Sequence, residues 1–574
     1  MMPFLKRSQL YVAIGAALTL SACGGDNEPV VSKPPIEVPD VGEPVSKASN
    51  FVVFPYLQNP AADAMTIMWF SDNDVVGELE IEGVGRFKSQ PKLATDLDYS
   101  QGEIDYIHGE KNFGKIHATL SKGEKPVLPY QHIVRVTGLT ANTAYVYRVQ
   151  QGNTQASFES EFKTAPASGQ IAPVKFVVMS DMETEPESTQ KSVKWAANSI
   201  KINGWKLATD PSTASRDYLV DQTTGYKQTL AYAAKSKPAF WLIAGDLVEK
   251  GGRQLDWDEF WRHAAGEWGT LASTAAILPA LGNHENYWHP TVSGGYVPDA
   301  VKRSYNKWKS YWDVPSNQAK TDARYESRYY RVDYGPVTII TLDSSNGDDS
   351  DMSKDTNLMI NGQDAHVPDF NYGSEQWQWA VSELADARAK GQVIFVQWHH
   401  MAYGTGVHSL TSGTKGIANN EDNQSGLPMR VYHDLMKQYD VAAVFSGHNE
   451  LLETVELDGV HYWDVGISGD GLRGPGYYPT TSYVPFDLLP TQAQQSHWSA
   501  HGDSQEMWVG QKLIDGGKHY GFVEVDVKPT ANHAEYEIVI RPKYSLPVVD
   551  DAGKFTGEFK ERVYDKVLRI TQKI

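Results

Sequence analysis

Apolar runs of strand length alternate with polar or helical segments over the second part of the chain. Five of these runs end in a side chain that can bind a metal: VKFVVMSD, PAFWLIAGD, AAILPALGNHE, GQVIFVQWHH and VAAVFSGH. Strands that alternate with helical segments predict an α/β domain from about residue 173. Ligands of such sheets bind at the carboxyl ends of the strands, so we expect the five side chains to meet at one edge.

Two helices and several further strands are predicted in the same region. The clearest helix starts at Ser374 as N-cap and ends at Gly391, and a second helix covers about 429–438. The predicted inner face of the first helix is Trp377, Val381, Leu384 and Arg388. A hairpin is predicted at 451–465 with its turn at Asp458-Gly459. Three alternating strands follow from about residue 519, and long polar loops are predicted at 200–230, 344–373, 403–428 and 470–505.

Residues 51–166 have the strict alternation of strands with one buried face. The runs TIMWF, HIVRVTGL, AYVYRVQ and SFESEFK show it most clearly. The pattern Gly138-Leu139-Thr140-x-x-Thr143-x-Tyr145-x-Tyr147 resembles the tyrosine corner of a fibronectin type III-like sandwich. A generic β module would give the same architecture.

The first residues resemble a bacterial lipoprotein signal. Lys6 and Arg7 precede about eleven apolar residues, too few to span a bilayer, and Leu20-Ser21-Ala22-Cys23 follows. We therefore expect lipidation at Cys23, with an ordinary signal peptide as the alternative. Cys23 is also the single cysteine of the chain, so an intramolecular disulfide is excluded. Residues 24–49 predict a flexible linker.

Length and charge limit the classes of function. At 574 residues the chain is too long for one core, so we expect at least two domains. Acidic residues outnumber basic ones by 71 to 52, for a net charge of -19, whereas nucleic-acid surfaces need clustered Lys and Arg. We therefore expect no nucleic acid as a stable partner. A small phosphate ester remains compatible, because bound metal ions supply positive charge locally.

The side chains at the five strand ends suit two metal ions. One carboxylate can bridge two ions about 3.5–4 Å apart, and the candidates for this role are Asp181 and Asp246. Asn283 offers an amide oxygen, and His399 and His448 offer imidazole nitrogens. His284, beside Asn283, is a candidate to contact a phosphate or to protonate a leaving oxygen.

Taken together, these motifs resemble calcineurin-like metallophosphoesterases, and among them the purple acid phosphatases. The resemblance covers about 51–545. It implies that Asp246 bridges the metals, that Asn283, His399 and His448 hold the second metal, and that His284 faces the phosphate. By the same resemblance, His408 corresponds to a second substrate histidine.

The departures from that family concern the first metal. The family has Asp-x-His where this chain has Asp181-Met182-Glu183, and Gly-His-x-His where this chain ends in Glu450. The tyrosine that purple acid phosphatases place three positions after the bridging Asp is Glu249 here. We therefore predict an oxygen-rich first site formed from Asp181, Asp246, Glu450 and either Glu183 or Glu249, without purple colour. The alternative is a first site that has lost its function.

The predicted fold class is a multidomain α+β/α/β protein, with a fibronectin III-like β-sandwich followed by a four-layer α/β/β/α metallophosphoesterase domain. The predicted boundaries are 1–23 for the lipoprotein signal, 24–49 for the linker, 50–166 for the sandwich and 172–574 for the metallophosphoesterase domain.

The predicted function is an exported, lipid-anchored phosphatase that acts on small phosphate monoesters through a metal-bridging hydroxide, located at the outer membrane, periplasm or cell surface. Its predicted cofactors are two metal ions: Fe, Mn, Mg or Ca in the first site, and Zn, Mn or Fe in the second. The alternatives are a phosphodiesterase or nucleotidase on the same core, and a surface binding protein without catalysis.

Overall fold

The computed structural model describes most of the chain after residue 49. The described residues are 50–109, 120, 123–152, 157–188, 222–291, 298–345, 367–405, 426–472, 489–500, 507–509, 512–531, 533–551 and 554–573. Two positions named from the sequence, Cys23 and His408, lie outside these ranges. Within them, no helix combines the length and apolar character needed to cross a membrane.

The N-terminal part is a sandwich of two four-stranded sheets. Its elements are β1 (Phe51–Gln58), β2 (Ala64–Ser71), β3 (Gly77–Ile81), β4 (Gly85–Ser89), β5 (Lys92–Leu93), α1 (Gln101–Gly109), β6 (Tyr130–Thr137), β7 (Ala144–Gln151) and β8 (Ser157–Lys163). One sheet has the strand order β1-β2-β6-β5 and the other β4-β3-β7-β8. The predicted sandwich is therefore confirmed.

Alternation within β7 shows why these residues form the sandwich. Tyr147 and Val149 are buried, whereas Arg148 between them is exposed. The hydroxyl of Tyr145 accepts a hydrogen bond from the backbone N–H of Thr140, at 2.8 Å, five residues upstream. This is the contact of a tyrosine corner, and it holds the connection between β6 and β7.

The second part begins with three parallel strands separated by helices. Its elements up to residue 345 are β9 (Val174–Met179), α2 (Gln222–Lys235), β10 (Phe240–Ile243), α3 (Gln254–Ala264), β11 (Ala276–Pro279), α4 (Pro298–Tyr311), β12 (Tyr330–Tyr334) and β13 (Val337–Thr341). β10 pairs in parallel with both β9 and β11. The helix α2 begins inside a stretch predicted as loop, so that boundary is wrong.

The remaining elements complete two seven-stranded sheets and also form a separate two-stranded sheet. They are α5 (Glu375–Ala389), β14 (Val393–His400), α6 (His433–Gln438), β15 (Ala443–Gly447), β16 (Leu452–Leu457), β17 (Val460–Val465), α7 (Thr491–Ser496), β18 (Trp498–Ser499), β19 (Met507–Val509), β20 (Lys512–Asp515), β21 (Tyr520–Pro529), β22 (Glu535–Val549), β23 (Phe555–Val563) and β24 (Leu568–Lys573). One sheet runs β11-β10-β9-β21-β22-β23, with β24 paired to β22, and the other runs β12-β13-β14-β15-β17-β16-β18.

The two large sheets pack face to face. The ring of Phe176 on β9 lies 5.1 Å from that of Phe395 on β14 and 6.4 Å from that of Phe445 on β15. Helix α2 packs on β21 and β22, and α5 packs on β13 and β14. The sheets therefore form the two inner layers and the helices cover them, as predicted. The fully buried strands explain the unbroken apolar runs in the sequence.

Helix α5 differs from its predicted orientation. Ser374 caps it by accepting the N–H of Trp377, as expected, but the buried residues are Gln376, Ala380, Leu384 and Ala387. The amide of Gln376 exchanges two hydrogen bonds with the backbone of Asp343, at 2.7 and 2.9 Å. These bonds satisfy a polar side chain inside the structure, so the buried face is rotated by one residue from the apolar positions.

The predicted helix at 429–438 is present only in part. Residues Leu427–Tyr432 form a 3-10 helix, and α6 covers the rest. The hairpin of β16 and β17 is confirmed, and its turn has left-handed backbone at Asp458 (φ 52°) and Gly459 (φ 82°). The strand β23 was missed, because its exposed and half-buried residues do not show a buried face.

The sandwich and the second part are joined by buried hydrogen bonds. The hydroxyl of Tyr147 on β7 donates to the carbonyl of Ser273 at 2.9 Å, and that of Tyr56 on β1 donates to the carbonyl of Tyr311 at 2.8 Å. The ring of Tyr56 also lies 4.3 Å from that of Trp261. Ser273 precedes β11, so this interface supports a strand that leads to the predicted metal ligands.

The buried His132 gives the sandwich a pH-dependent stability. Its ring stacks on Trp69 at 4.9 Å, and burial lowers its pKa to about 4. The unfolded chain binds a proton at His132 below about pH 6.5, whereas the folded chain does so only below about pH 4. This contribution to stability is therefore present above pH 6.5 and is lost as the pH falls toward 4.

We expect His132→Gln to lose less unfolding free energy than the wild type between pH 7 and pH 5, measured by denaturant titration. The absolute stability of the variant should be lower at both values, because the stack on Trp69 is altered. The exposed His533→Gln is the matched control and should keep the wild-type difference. Equal pH dependence of all three proteins would contradict this account.

Candidate metal centre

Strands of both large sheets bring the predicted ligands together. β9, β10 and β11 end just before Asp181, Asp246 and Asn283, respectively. In the other sheet, β14 contains His399, and β15 ends just before His448. The parallel strands of each sheet end at one edge. The ligand edge is therefore shared by two packed sheets.

Three side chains and the amide of Asn283 form the group proposed for the second metal. Ligand atoms of Asp246, His399 and His448 lie within 4.8 Å of one another. The Oδ1 atom of Asn283 is 2.9 Å from Nε2 of His399 and 3.1 Å from Nδ1 of His448. Two imidazoles, an amide oxygen and a carboxylate are a suitable donor set for Zn, Mn or Fe.

A hydrogen bond fixes the orientation of His399. Its Nδ1 lies 2.9 Å from the carbonyl oxygen of Ala244, so Nδ1–H is the donor and Nε2 faces the centre. Nε2 lies 2.9 Å from Oδ2 of Asp246. Burial alone would lower the pKa of His399, but the charge of Asp246 outweighs it and raises the pKa to about 9. The pKa of Asp246 is lowered by His399 and His284 against the effect of burial.

Asp246 also belongs to a second group, with Glu183 and His284, whose ligand atoms lie within 4.8 Å of one another. Glu183 is held there by its backbone, because its N–H donates to the carbonyl of Asp246 at 3.1 Å. A carboxylate shared by two groups of donors is the arrangement that bridges two cations.

A third group contains the predicted Glu183 and Glu450 together with Asp470. Asp470 was not found by sequence reasoning, which assigned 470–505 to a polar loop. The missed signal is strand β17, which runs parallel to β15 and ends at Val465. Residues after β17 therefore reach the same edge as His448.

The carboxylates of Asp181 and Glu183 fit a cation. Oδ2 of Asp181 and Oε2 of Glu183 are buried and have no hydrogen-bond partner in the part of the chain that the structure describes. The other oxygen of Asp181 accepts the N–H of His448 at 2.8 Å. Burial raises the pKa of Asp181 to about 7. Buried anionic oxygens are stable only when paired or bound to a metal, so these residues suit the predicted first site.

Left-handed backbone is concentrated at the candidate ligands. It occurs at Asp181 (φ 53°), Glu183 (φ 42°), Asp246 (φ 52°), His448 (φ 78°) and Glu450 (φ 51°). Such conformations cost about 1–3 kcal/mol at a residue other than glycine and cluster at functional sites. The turns after the strands are therefore shaped to direct side chains inward at the expense of local stability.

Two glycines are required by close approach at the same turns. A Cβ at Gly447 would lie 2.0 Å from Oδ2 of Asp181, and one at Gly282 would lie 2.1 Å from Oδ1 of Asp246. Neither position can hold a larger residue without moving a candidate ligand. This is the physical reason for glycine before His448 and before Asn283.

Glu285 holds the turn that carries Asp246, although it was not among the predicted site residues. Its carboxylate accepts the N–H groups of Asp246 (3.0 Å), Leu247 (2.8 Å) and Gly282 (2.8 Å). Burial, with the charge of Asp246, raises the pKa of Glu285 to about 7. The Asn-His-Glu motif thus supplies a candidate ligand, a candidate catalytic group and a positioning residue in succession.

His284 lies at the centre, and Glu249 contacts it through its backbone. Nδ1 of His284 is 2.6 Å from the carbonyl oxygen of Glu249, which leaves Nε2 facing Oδ2 of Asp246 at 3.9 Å. The carboxylate of Glu249 lies 3.6 Å from Nζ of Lys250. Among the described residues, the structure groups Glu183 rather than Glu249 with the other candidate ligands.

Aromatic residues near the candidate ligands differ in their placement, and not all of them can line a pocket. The ring of Tyr287 is 6.1 Å from that of His284, and Trp288 and His289 follow it. Tyr403 is buried and packs 4.9 Å from Tyr462, so it belongs to the core rather than to a wall.

Comparisons with known proteins agree with this architecture. Residues 175–449 match the model of the calcineurin-like phosphoesterase family, and residues 53–164 match that of the purple acid phosphatase N-terminal domain. The chain therefore contains a calcineurin-like metallophosphoesterase domain, preceded by a purple acid phosphatase N-terminal domain.

Individual relatives are distant. Uncharacterized protein Rv2577 of Mycobacterium tuberculosis (strain ATCC 25618 / H37Rv) is 24% identical over 323 residues, covering 55% of this chain and 49% of that protein. Purple acid phosphatase 22 of Arabidopsis thaliana is 25% identical over 320 residues, covering 55% and 52%. The chain thus spans about half the length of the curated relatives it matches.

A solved structure shows the same fold. Purple acid phosphatase PPD1 from yellow lupin (Lupinus luteus) seeds superposes with a TM-score of 0.51 at 17% identity, covering 85% of this chain and 72% of that one.

We expect Glu285→Ala to reduce the unfolding free energy by roughly 3 kcal/mol or more, since buried donors without an acceptor cost about 1–3 kcal/mol each. The variant should also lose bound metal, because the turn carrying Asp246 is released. Glu285→Gln should be milder, because its amide oxygen replaces one of the two acceptors. Denaturant titration and elemental analysis measure both effects.

The half-buried Glu267→Ala, which removes a contact with Arg262, is the control and should keep wild-type metal content. The positioning role of Glu285 would be wrong if Glu285→Ala matched this control in stability and metal content.

Proposed function

We propose that the protein is an exported, lipid-anchored, metal-dependent phosphatase that hydrolyses phosphate monoesters. The observation that supports this best is the position of Asp246, which lies with His399 and His448 in one donor group and with Glu183 in another. His284 also lies in the second group and is assigned to the phosphate rather than to a metal. A shared carboxylate can hold two cations at the separation used for in-line phosphoryl transfer, about 3.5–4 Å.

The chain's residues divide between two cations. Asn283, His399 and His448 would hold one, and Asp181, Glu183 and Glu450 would hold the other, with Asp246 common to both. Such cations supply a water of lowered pKa and polarise the phosphate. The carbonyl of Ala244 orients His399, and the carboxylate of Glu285 holds the turn that carries Asp246. Little rearrangement of these residues is therefore needed when the cations bind.

His284 is the proposed general acid and phosphate-binding group. Because Nδ1–H donates to the carbonyl of Glu249, Nε2 is directed toward the centre. From there, a protonated Nε2 can donate to a phosphate oxygen or to the oxygen of the leaving group. His408 is proposed as a second substrate histidine on the resemblance alone.

The substrate is proposed to be a small organic phosphate ester. The net charge of -19 disfavours a long polyanion. Of the residues assigned above to the two cations, the most exposed are Asn283 and His448, each at 4%. A buried centre admits a phosphate group rather than an extended chain. A phosphodiesterase or nucleotidase activity is the alternative, and assays with a monoester and a diester distinguish it from the proposed phosphatase.

We expect hydrolysis of p-nitrophenyl phosphate in excess of bis-p-nitrophenyl phosphate, in assays across Mn²⁺, Mg²⁺, Ca²⁺, Zn²⁺ and Fe³⁺. Asp246→Asn should lower kcat by at least about a thousandfold, because it weakens both metal sites. His284→Ala should lower kcat by about 10²–10⁴-fold with metal content unchanged.

The matched control is Asp440→Asn, an exposed aspartate with the same left-handed backbone (φ 57°). It should keep wild-type turnover. Preferential turnover of the diester would favour the alternative enzyme. Ligand binding without turnover in any metal, equal in wild type and Asp246→Asn, would favour a surface binding protein.

The proposed location rests on the signal-like segment that ends at Cys23. We expect the wild type to fractionate with membranes and to incorporate labelled palmitate when expressed in a bacterium that processes lipoproteins. Cys23→Ala should abolish labelling and release the protein from the membrane fraction, while Cys23 in the wild type becomes the first residue of the mature chain. Secretion of unlabelled wild type, cleaved at another position, would indicate an ordinary signal peptide instead.

A further inference from the structure

The segment after β17 crosses the first metal-ligand turn at close range. The N–H groups of Gly469 and Asp470 donate to the carbonyl of Asp181 at 3.3 and 3.4 Å, and Ser468 donates to the carbonyl of Ser180 at 3.4 Å. A Cβ at Gly469 would lie 2.2 Å from the carbonyl oxygen of Met182, so only glycine permits this approach. Asp470 is thereby fixed beside the turn formed by residues 181–183.

The carboxylate of Asp470 reaches the other acidic side chains of this region. One of its oxygens lies within 4.8 Å of ligand atoms of Glu183 and Glu450. Glu183 and Glu450 are buried, whereas Asp470 is half-buried. Asp470 therefore closes the solvent side of a group whose other members come from the turns after β9 and β15.

A second, independent observation supports a cation in this region. Glu183 is 2% exposed, and its Oε2 atom is buried without a hydrogen-bond partner among the described residues. The Oδ2 atom of Asp181 is likewise buried without a hydrogen-bond partner among the described residues. Neither residue forms a salt bridge with Lys or Arg within the described part of the chain. A bound cation would stabilise buried carboxylates in this state in their ionised form.

We propose that Asp470 is a ligand of the first metal and completes a subsite that offers only carboxylate oxygens. This inference rests on the proposed two-metal centre. The ligands would be Asp181, Glu183, Glu450 and Asp470, with Asp246 shared, so the subsite selects hard cations such as Mn²⁺, Mg²⁺, Ca²⁺ or Fe³⁺ and disfavours Zn²⁺. The high density of negative charge favours the most highly charged of these ions.

Metal content tests this inference without relying on activity. The full-length protein is stripped with a chelator, reloaded from an equimolar mixture of Mn²⁺ and Zn²⁺, desalted, and measured by plasma mass spectrometry. We expect two ions per chain in the wild type, with Mn²⁺ enriched in the first site. Asp470→Asn should retain the second ion and bind the first at least about tenfold more weakly, because loss of a direct ligand costs no less than loss of a group that only orients a ligand, about 10–100-fold.

Two further variants test the oxygen-only character. Asp470→Glu retains a carboxylate and should keep the first ion better than Asp470→Asn does. Asp470→His introduces a nitrogen donor and should raise the proportion of Zn²⁺ in the first site. The gain in Tm on adding Mn²⁺ should be larger for Asp470→Glu than for Asp470→Asn. A ligand that binds the folded state more tightly stabilises it more.

Asp458→Asn is the matched control, since Asp458 is also a loop aspartate following a strand of the same sheet, and it lies in the β16–β17 turn. It should bind both ions as the wild type does. Circular dichroism checks folding, and if Asp470→Asn fails to fold, the Asp470→His and Asp470→Glu pair decides the outcome by its Zn²⁺ to Mn²⁺ ratio.

The outcomes separate this inference from the proposed function. Two ions bound with wild-type affinity in Asp470→Asn, or an unchanged metal ratio in Asp470→His, would overturn the role of Asp470 while leaving an active two-metal enzyme intact. A wild type that binds no second ion and hydrolyses neither ester would instead overturn the proposed function.

Discussion

The turn that carries Asp246 is held by the buried carboxylate of Glu285, and the rest of the metal centre depends on this contact. The carboxylate of Glu285 accepts the backbone N–H of Leu247, in the turn after β10, and that of Gly282, in the turn after β11. The carbonyl of Asp246 then accepts the N–H groups of Met182 and Glu183, which fixes the turn after β9. One anionic side chain therefore sets the positions of ligands from three strands, because each bond is buried and has no competing water.

The second sheet is joined to this arrangement through side chains rather than backbone pairing. His399 reaches across to the carbonyl of Ala244, and the backbone N–H of His448 donates to Asp181. These contacts make the two donor sets chemically unequal. The imidazole donors come from the sheet containing β14 and β15, whereas the carboxylates come from both sheets: Asp181, Glu183 and Asp246 follow β9 and β10, and Glu450 and Asp470 follow β15 and β17. Under the proposed assignment, Glu183 and Glu450 would give one metal site oxygen donors, while the other site keeps the nitrogen donors of His399 and His448.

Sequence reasoning was most successful where one local signal decides the structure. The apolar runs before Asp181 and Asp246 are strands, and Ser374 and Gly391 bound a helix as expected. It failed where a distant partner decides. The buried face of α5 is set by hydrogen bonds between Gln376 and Asp343, and Asp470 reaches the centre because β17 pairs in parallel with β15. Neither pairing leaves a signal within a short window of sequence.

The sequence by itself determined the two-domain architecture, the strands and the residue types available to a metal at their ends. Those features follow from local periodicity and from the chemistry of Asp, Asn and His. The tertiary structure alone decided which carboxylates meet: it joined Glu183, Glu450 and Asp470, and it directed Glu249 toward Lys250. The reason is that a ligand set is a property of distances between turns, and those distances are fixed only when two sheets pack against each other.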